Sequence, residues 1–235
     1  MGKRLIQQRR GRGTMTYRSP SFRFQGKVKH YNLETVGKVM DIIHCQGHSA
    51  PLIEVEYLTG TKGLSFAPEG IKVGDEIGIG TSEELKAGSV FSLKDIPEGT
   101  LVHNLELRPG DGGKLVRASG SFAKIVAKTE KAVRVKLPSN KEKSFLPNCR
   151  AAIGVIAGGG RLEKPLMKAG TKFRKMRAKN KLYPKVQGIS MNAVDHPFGG
   201  CHSTHKGRPT LSPRSAPPGR KVGKIAPRRT GRRNK

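Results

Sequence analysis

The amino-acid sequence predicts a mainly β fold, with two small β domains between long, basic and irregular terminal segments. Short stretches of alternating apolar and polar residues, separated by turn residues, fill the middle of the 235-residue chain. This pattern is typical of half-buried antiparallel strands. Both ends are instead rich in Arg, Gly, Ser and Pro and carry too few apolar residues to form a core. The length allows two small domains.

The N-terminal segment, residues 1–33, is predicted to be a basic extension. Residues 1–29 carry nine basic and no acidic side chains, and apolar burial there offsets little of the chain entropy. We expect residues 1–25, and residues 211–235 at the other end, to be disordered in the free protein and extended against a polyanion. A solvated linker or a localisation tail is the alternative interpretation.

Residues 34–108 are predicted to form the first β domain. Ile53, Val55 and Tyr57 alternate with glutamates, which places apolar side chains on one face of a strand and carboxylates on the other. Several such short strands fit a small antiparallel barrel, for which the OB-fold is one possibility. The further predicted strands are Val36–Ile43, Leu64–Phe66 and Ile71–Ile79, the last interrupted by Gly74-Asp75.

Residues 109–185 are predicted to form the second β domain and a short helix. Apolar residues alternate with Lys and Arg along residues 123–128 and 133–137, so the outward face of this hairpin is basic where that of the first domain is acidic. The helix is predicted at Thr171–Leu182, where Phe173 and Met176 share a face. Its other positions are nearly all Lys or Arg, which repel one another unless an anionic surface lies against them.

Residues 186–235 are predicted to be a basic C-terminal extension, and the charge of the whole chain indicates a polyanionic partner. The chain has 46 Lys and Arg against 17 Asp and Glu, a formal net charge of +29. Such a protein repels itself unless a polyanion neutralises it. We find no apolar run of membrane-spanning length and no secretory signal, which favours nucleic acid over a membrane. Three scattered cysteines fit a reducing, cytoplasmic location.

The composition also indicates which kind of nucleic acid is bound. Aromatic residues make up only 5% of the chain, and Trp is absent. Proteins that read single strands usually need aromatic stacking platforms, so we expect structured RNA recognised through its phosphates and shape. The basic second β domain is the one expected to contact RNA broadly.

Three other kinds of site are weighed against this interpretation. Gly154–Gly160 lacks the Gly-Lys-Ser/Thr of a nucleotide-binding loop, and its glycines rather indicate a close approach to another backbone, such as that of RNA. His44-Cys45 and Cys201–His205 do not supply four well-spaced zinc ligands. Asp195-His196 has no accompanying serine or cysteine motif of a catalytic triad. We predict no catalytic residue, metal or cofactor, with metal binding by Cys201–His205 left open.

The segment Met191–Gly200, MNAVDHPFGG, is long and specific, and through it the chain resembles the family of universal large-subunit ribosomal protein two, in its archaeal and eukaryotic branch. The resemblance covers nearly the whole chain. It implies an OB-like barrel followed by an SH3-like barrel with long basic extensions. Supporting matches are Gly112-Gly113-Lys114 with Arg117-Ala118, Leu137-Pro138-Ser139, Cys149-Arg150-Ala151 with Ile153-Gly154, and Ala216–Gly223.

The resemblance implies a structural constituent of the large ribosomal subunit with no enzymatic activity of its own. It implies binding to large-subunit ribosomal RNA and to other large-subunit proteins, contact with the small subunit, and support of the peptidyl-transferase region, whose RNA forms the peptide bond. No membrane or small-molecule substrate is expected as a partner. Two competing hypotheses are a transient nucleic-acid-binding translation or nucleoid factor, and an RNA-modifying hydrolase built around His196.

Two positions depart from the family pattern. Phe198 stands where the family commonly has a second histidine, and Cys201 stands where it has a third glycine. Only His196 then matches the family histidine tied to peptidyl-transferase function. We expect it to position RNA, by stacking or by a hydrogen bond, and to transfer no proton. The residues predicted to contact RNA are Lys3, Arg4, Arg9, Arg10, Arg12, Arg18, Arg117, Gly158, Gly159, Gly160, Arg161, Lys172, Arg174, Lys175, Arg177, Lys179, Lys181, Asn192, Asp195, His196, Arg208, Arg214, Arg220, Lys221, Arg228 and Arg229.

Overall fold

A computed structural model describes residues 5–80, 85–203, 205–206 and 210–228, and it confirms the mainly β fold class. The described residues form two compact units. One comprises the described residues within 20–167, and the other comprises the described residues within 1–19 and 168–235. Across the described ranges, every helix is too short or too polar to cross a membrane. The domain boundaries expected after residues 33, 108 and 185 stay predictions.

The unit formed by residues 20–167 is built on one continuous sheet. Its described strands are β1 (Thr35–Ile43), β2 (Leu52–Tyr57), β3 (Lys62–Phe66), β4 (Glu76–Ile79), β5 (Val90–Ser92), β6 (Leu101–His103), β7 (Ala123–Lys128), β8 (Val133–Lys136), β9 (Glu142–Phe145) and β10 (Arg150–Ile153). Their order in the sheet is β3-β2-β1-β4-β5-β10-β6-β7-β8-β9. Neighbouring strands are antiparallel, except for β4 and β5, which are parallel.

The alternation along the predicted strands is confirmed by burial. In β2 the side chains of Ile53, Val55 and Tyr57 are buried, whereas Glu54 and Glu56 are partly exposed. The β7–β8 hairpin follows the same rule with basic residues on its outer face. Its buried residues are Ala123, Ile125, Val133 and Val135, and its exposed basic residues are Lys124, Arg134 and Lys136.

The strand predicted at Ile71–Ile79 is shorter in the structure, because β4 begins only at Glu76. The Oδ2 atom of Asp75 accepts a hydrogen bond from the backbone N–H of Lys72 at 2.8 Å. Gly74 between them has a φ of +96°, a conformation that glycine adopts readily. These residues therefore form a turn that interrupts strand pairing.

Strand β10 lies between β5 and β6, although it follows them by about 50 residues in the sequence. This insertion joins the two groups of strands into one sheet. Phe91 of β5 and Val102 of β6 consequently share a core with Ile125 and Val135 of the hairpin. A separate core lies under β1 and β2, around Val39 and other buried residues of those strands.

A buried ion pair connects the segment after β6 to the start of β10. The carboxylate of Glu106 has no exposed surface, and it lies 3.0 Å from the guanidinium of Arg150. The carboxylate also accepts the backbone N–H groups of Gly110, Gly112 and Arg150 at 2.9–3.2 Å. Burial acts to raise the pKa of Glu106. The hydrogen bonds from Arg150 and from the N–H of Gly112, together with the charge of Arg150, outweigh burial, so the pKa of Glu106 is lowered. Arg150 additionally donates to the carbonyl of Tyr31 at 2.7 Å.

The buried His30 lies within electrostatic range of this ion pair, and the buried His103 lies within range of His30. The Nε2–H of His30 donates to the carbonyl of Asn104 at 2.6 Å, and the Nδ1–H of His103 donates to the carbonyl of Gly154 at 3.0 Å. Desolvation by burial lowers the pKa of each histidine from 6.5 to about 4, although these hydrogen bonds act in the opposite direction. Both rings are therefore neutral in the folded protein at pH 7.

These histidines predict an acid-sensitive stability of the full chain. Because the folded pKa lies below the unfolded value, the unfolded state binds more protons between pH 6.5 and 4. The stabilisation is complete above pH 6.5 and is lost as the pH falls toward 4, at a cost of about 3 kcal/mol per histidine. Urea titrations across this range should show H30Q reducing the pH dependence, while H44Q, at an exposed position, leaves it unchanged. An identical profile in H30Q and the parent protein would contradict this.

The second unit contains two helices and a small sheet. The helices are α1 (Ile6–Gly11) and α2 (Ala169–Ala178), and strands β11 (Leu211–Ser212) and β12 (Lys224–Ile225) pair in parallel. Three short 3-10 helices, of which the second belongs to the first unit, lie at Met15–Tyr17, Ser21–Arg23 and Gly188–Ser190. The expectation that the terminal segments order only against a polyanion stays a prediction.

The predicted basic helix exists, but it ends four residues before the predicted Leu182. Asn180 has a φ of +50°, and the N–H of Lys181 donates back to the carbonyl of Met176 at 2.9 Å. This is the hydrogen-bond pattern of a helix terminated by a left-handed residue. The chain leaves the helix there and brings Tyr183 back toward Lys172, whose ammonium lies 5.3 Å from the ring centroid.

Candidate nucleic-acid interface

The segment Met191–Gly200 is a compact loop that closes on itself. The N–H of Gly200 donates to the carbonyl of Met191 at 3.0 Å, and the N–H of Asp195 donates to that of Asn192 at 2.9 Å. A Cβ atom on Gly199 would clash with the carbonyl groups of Met191 and Asn192. The loop therefore depends on glycine at this position for a steric reason, and it holds its side chains in a fixed arrangement.

The imidazole ring of His196 packs at a defined position in this loop. It lies against Gly188, where an added Cβ would overlap the imidazole. Its Nδ1 atom accepts the backbone N–H of Phe198 at 3.0 Å. A ring nitrogen that accepts a hydrogen bond carries no proton, so the neutral ring has its proton on Nε2, which becomes its donor atom. The partly exposed ring can thus offer one N–H to an acceptor on RNA.

Phe198, one of the departures from the family pattern, packs in the interior of this unit. Its side chain is only 6% exposed, and its ring touches the position where a Cβ of Gly223 would stand. The ring centroid lies 5.2 Å from that of His196 and 5.7 Å from the ammonium of Lys206. Phe198 therefore anchors the loop to the C-terminal segment and supports the histidine ring from the side.

Most of the predicted cationic contact residues that fall within the described ranges are exposed. Arg174 and Arg177 extend from α2, and Arg214, Arg220 and Arg228 lie on the C-terminal segment. Across the described residues these five arginines form no ion pair. The other exposed members are Arg9, Arg10, Arg12, Arg18, Arg161, Lys172, Lys181 and Lys221, whereas Lys175 and Lys179 are partly buried. Charges without counter-charges on a surface attract a polyanion.

The N-terminal segment and α2 come together in this cationic unit. The side-chain amide of Asn180 donates to the carbonyl of Arg18 at 3.3 Å, and the guanidinium of Arg10 lies 5.6 Å from the ring centroid of Tyr17. Residues that are more than 150 positions apart in the sequence thus contribute to one basic surface. Lys3, Arg4, Arg208 and Arg229 lie outside the described residues.

The glycine segment has a close backbone neighbour within the protein itself. An added Cβ on Gly120 would meet the Cα of Gly159 at 2.6 Å. The glycines therefore allow a close approach of two backbones, and in this case both backbones belong to the same chain. Gly158, Gly159 and Gly160 nevertheless stay exposed on their other side. Arg161 next to them donates to the hydroxyl of Ser119 at 2.8 Å. Contact of this segment with RNA stays a prediction.

Arg117 is used inside the protein. Its guanidinium donates to the carbonyls of Gly113 and Val28 at 3.2 and 3.1 Å, and it lies 5.2 Å from the ring centroid of Phe66. Desolvation by burial lowers the pKa of Arg117, yet an arginine stays charged at pH 7. Its contact with RNA stays a prediction. Within the protein, the Arg117 side chain connects Val28, near the start of the first unit, to Gly113.

Among the described residues, no group of three or more His, Cys, Asp or Glu side chains is arranged so that it could hold a metal ion. His48 lies 3.1 Å from the buried thiol of Cys45, measured from Nδ1 to Sγ, and its ring stacks on Phe24. These contacts belong to a packed core. Cys201 and His202 are exposed.

The sequence analysis did not single out two aromatic residues, Phe173 within α2 and Tyr183 after it, as RNA contacts. Phe173 and Tyr183 line a cavity together with Arg177 and Lys181, but neither aromatic residue was among the predicted contacts. The signal was present, because an aromatic side chain within a run of Lys and Arg is suited to nucleic acid. The sequence predicts that the outer face of β7 and β8 is basic, but it does not single out individual residues of that face as RNA contacts.

Comparison with known proteins gives consistent matches. Residues 86–218 match the family model described as Ribosomal Proteins L2, C-terminal domain. A Methanothermobacter thermautotrophicus protein named large ribosomal subunit protein uL2 is 50% identical over 240 residues, covering 99% of this chain and 100% of its own. Proteins of the same name from Methanocaldococcus jannaschii and Haloarcula marismortui are 52% and 50% identical, with at least 98% of each chain covered.

Proposed function

The chain belongs to the family of large ribosomal subunit protein uL2, and we therefore propose that it is a structural, RNA-binding constituent of the large ribosomal subunit in the cytoplasm. In this role it binds large-subunit ribosomal RNA and neighbouring proteins, and it contacts the small subunit across the subunit interface. The observation that carries the proposal is the exposed set of arginines on the second unit, which are without ion pairs among the described residues. Phosphates supply the missing counter-charges.

The chain supports the peptidyl-transferase region without performing chemistry there. In a catalytic triad the histidine donates its Nδ1–H to a carboxylate. The Nδ1 of His196 instead accepts the backbone N–H of Phe198, so it has no proton to donate to Asp195. This arrangement supports a positioning role for His196, in which its Nε2–H holds an RNA acceptor in place.

Sedimentation distinguishes a stable subunit constituent from the alternative, a transient nucleic-acid-binding translation factor. Tagged protein is expressed in an archaeal host, and large subunits are purified through a high-salt sucrose cushion. We expect about one copy of the protein per subunit before and after the wash, because a constituent is held by many contacts that form during assembly. Release of the protein by the wash, with intact subunits left behind, would support the transient factor.

The positioning role predicts unequal effects of two substitutions at His196. H196Q keeps a hydrogen-bonding side chain of similar reach, so subunits carrying it should retain much of their single-turnover peptidyl-transfer activity. H196A removes the donor, and a hydrogen bond to a charged group typically contributes about 1.5–3 kcal/mol. We therefore expect H196A to lose more, mainly through faulty assembly. Subunit composition and RNA folding are checked before each measurement.

A second pair of variants tests the packing of the His196 ring against Gly188 without changing His196 itself. G188A places a methyl group where the imidazole lies, whereas G170A adds the same methyl group on α2 in open space. G188A should impair assembly, G170A should not, and combining G188A with H196A should add little. Equal and severe loss in H196Q and H196A despite normal assembly, with the pH dependence of the rate abolished, would mean that His196 takes part in chemistry.

A further inference from the structure

A cavity of about 270 Å³ lies between the N-terminal segment and the C-terminal end of α2. One part of its lining is apolar or aromatic and includes Met15, Phe173 and Tyr183, and another part is cationic and includes Arg177 and Lys181. Phe173 is 45% exposed and Met15 is 81% exposed. Such exposed apolar surface beside a dense cationic surface is unusual for a solvated face, because apolar groups there gain from being covered.

We propose that this cavity holds a single unstacked RNA nucleotide, with its base against Phe173 and Tyr183 and its phosphate between Arg177 and Lys181. The proposal rests on the proposed function and deepens it, since it names one nucleotide-binding subsite on an otherwise phosphate-directed surface. A base extruded from a helix or loop is planar and apolar on its faces, and aromatic side chains accept it by stacking.

The size of the cavity restricts what it can take. Pockets for drug-sized ligands occupy about 300–1,000 Å³, so this cavity suits one ring system and is too small for a dinucleotide cofactor. The charge of its lining restricts the occupant further. Its charged residues are Arg177 and Lys181, and among the described lining residues there is no carboxylate. An anionic ligand with a flat apolar part satisfies both conditions.

Asn180 gives the site a polar edge that can recognise a base. Its amide nitrogen is committed to the carbonyl of Arg18 at 3.3 Å, and this contact fixes the orientation of the carboxamide. The carboxamide oxygen accepts no hydrogen bond among the described residues, so it can accept one from an exocyclic amino group. Lys172, whose ammonium lies near the ring of Tyr183, adds a further cation beside the cavity.

Zero-length ultraviolet crosslinking of purified large subunits tests the site in the assembled particle. The subunits are irradiated, the RNA is digested, and peptides that carry a nucleotide are identified by mass spectrometry. We expect a single nucleotide attached to Phe173 or Tyr183. Peptides from the acidic first β domain serve as the control and should carry none. Nucleotides attached elsewhere in the chain, but to neither Phe173 nor Tyr183, would overturn the proposal.

Binding measurements with the full-length protein and transcribed large-subunit RNA give the energetic test. We expect F173A and Y183A each to weaken binding by about 10- to 100-fold, as the loss of one stacked base does. Y183F should bind as the parent does, and so should L58A, which truncates a side chain that is 83% exposed in the acidic first β domain. Thermal unfolding confirms that each variant is folded. If all variants bind like the parent, the subsite is wrong and the proposed function stands. If the parent itself fails to bind the RNA, the proposed function fails.

A protein side chain is the other possible occupant, and the same particles reveal it. Chemical crosslinking through Lys181 to a peptide of another subunit protein, together with an absence of nucleotide at Tyr183, would replace the nucleotide by a protein contact and overturn the proposal. A nucleotide at Tyr183 that disappears in subunits carrying N180A, while the overall RNA fold is unchanged, would support base recognition by Asn180.

Discussion

Raising the salt concentration from 50 to 200 mM should weaken binding of this protein to large-subunit ribosomal RNA by about 10³- to 10⁵-fold. That magnitude corresponds to the release of counterions from about six to ten phosphates. Residues 161–235 carry 21 basic and two acidic side chains, and their described arginines form no internal ion pairs. Phosphate contacts of this kind dominate the affinity and are screened by salt.

The slope of log affinity against log salt concentration identifies which cations take part. Each phosphate contact that is removed lowers the slope by about 0.9 for duplex nucleic acid, so R174Q/R177Q should lower it by about two. K38Q/K62Q is the matched control, because Lys38 and Lys62 lie in the acidic part of the chain and Lys62 lies 3.8 Å from Glu54. Filter binding or fluorescence anisotropy at five salt concentrations measures the slope. A nearly flat plot for the parent protein would contradict the prediction.

Replacing Arg150 by Met should destabilise the full chain by about 3–5 kcal/mol, because breaking a buried pair leaves an uncompensated charge. The remaining charge is on Glu106, whose side chain is fully buried. Arg150 also donates to the carbonyl of Tyr31 and to the side chain of Asn32, so R150M releases the segment before β1 as well. Urea unfolding at pH 7 measures the free energy of unfolding.

Two further variants separate the ion pair from general loss of an arginine. R134M removes an exposed arginine from β8, where substitutions usually change stability by less than about 0.5 kcal/mol. E106Q/R150M removes both charges and should be less destabilised than R150M alone, because no buried charge is left without a partner. A loss below 1 kcal/mol in R150M would show that the pair contributes little to the fold.

The fold class, the alternating strands and the class of partner all follow from the amino-acid sequence alone. The residues around Ile53 and Ile125 alternate in polarity, and this local pattern is set by which face of a strand meets the core. Charge is additive along the chain, so a net charge of +29 indicated a polyanion without knowledge of any contact. The motif around His196 indicated the family because a long match of this kind is specific.

Which residues that are distant in the sequence come into contact depends on the packing of the folded chain. The insertion of β10 between β5 and β6, the burial of Glu106 against Arg150, and the seat of His196 on Gly188 all join residues that no local pattern relates. The cavity lined by Phe173 and Tyr183 belongs to the same class, since it needs the N-terminal segment beside α2. The reason is physical: propensity and periodicity act over a few neighbouring residues, whereas burial, desolvation and hydrogen-bond geometry depend on the packing of the whole chain.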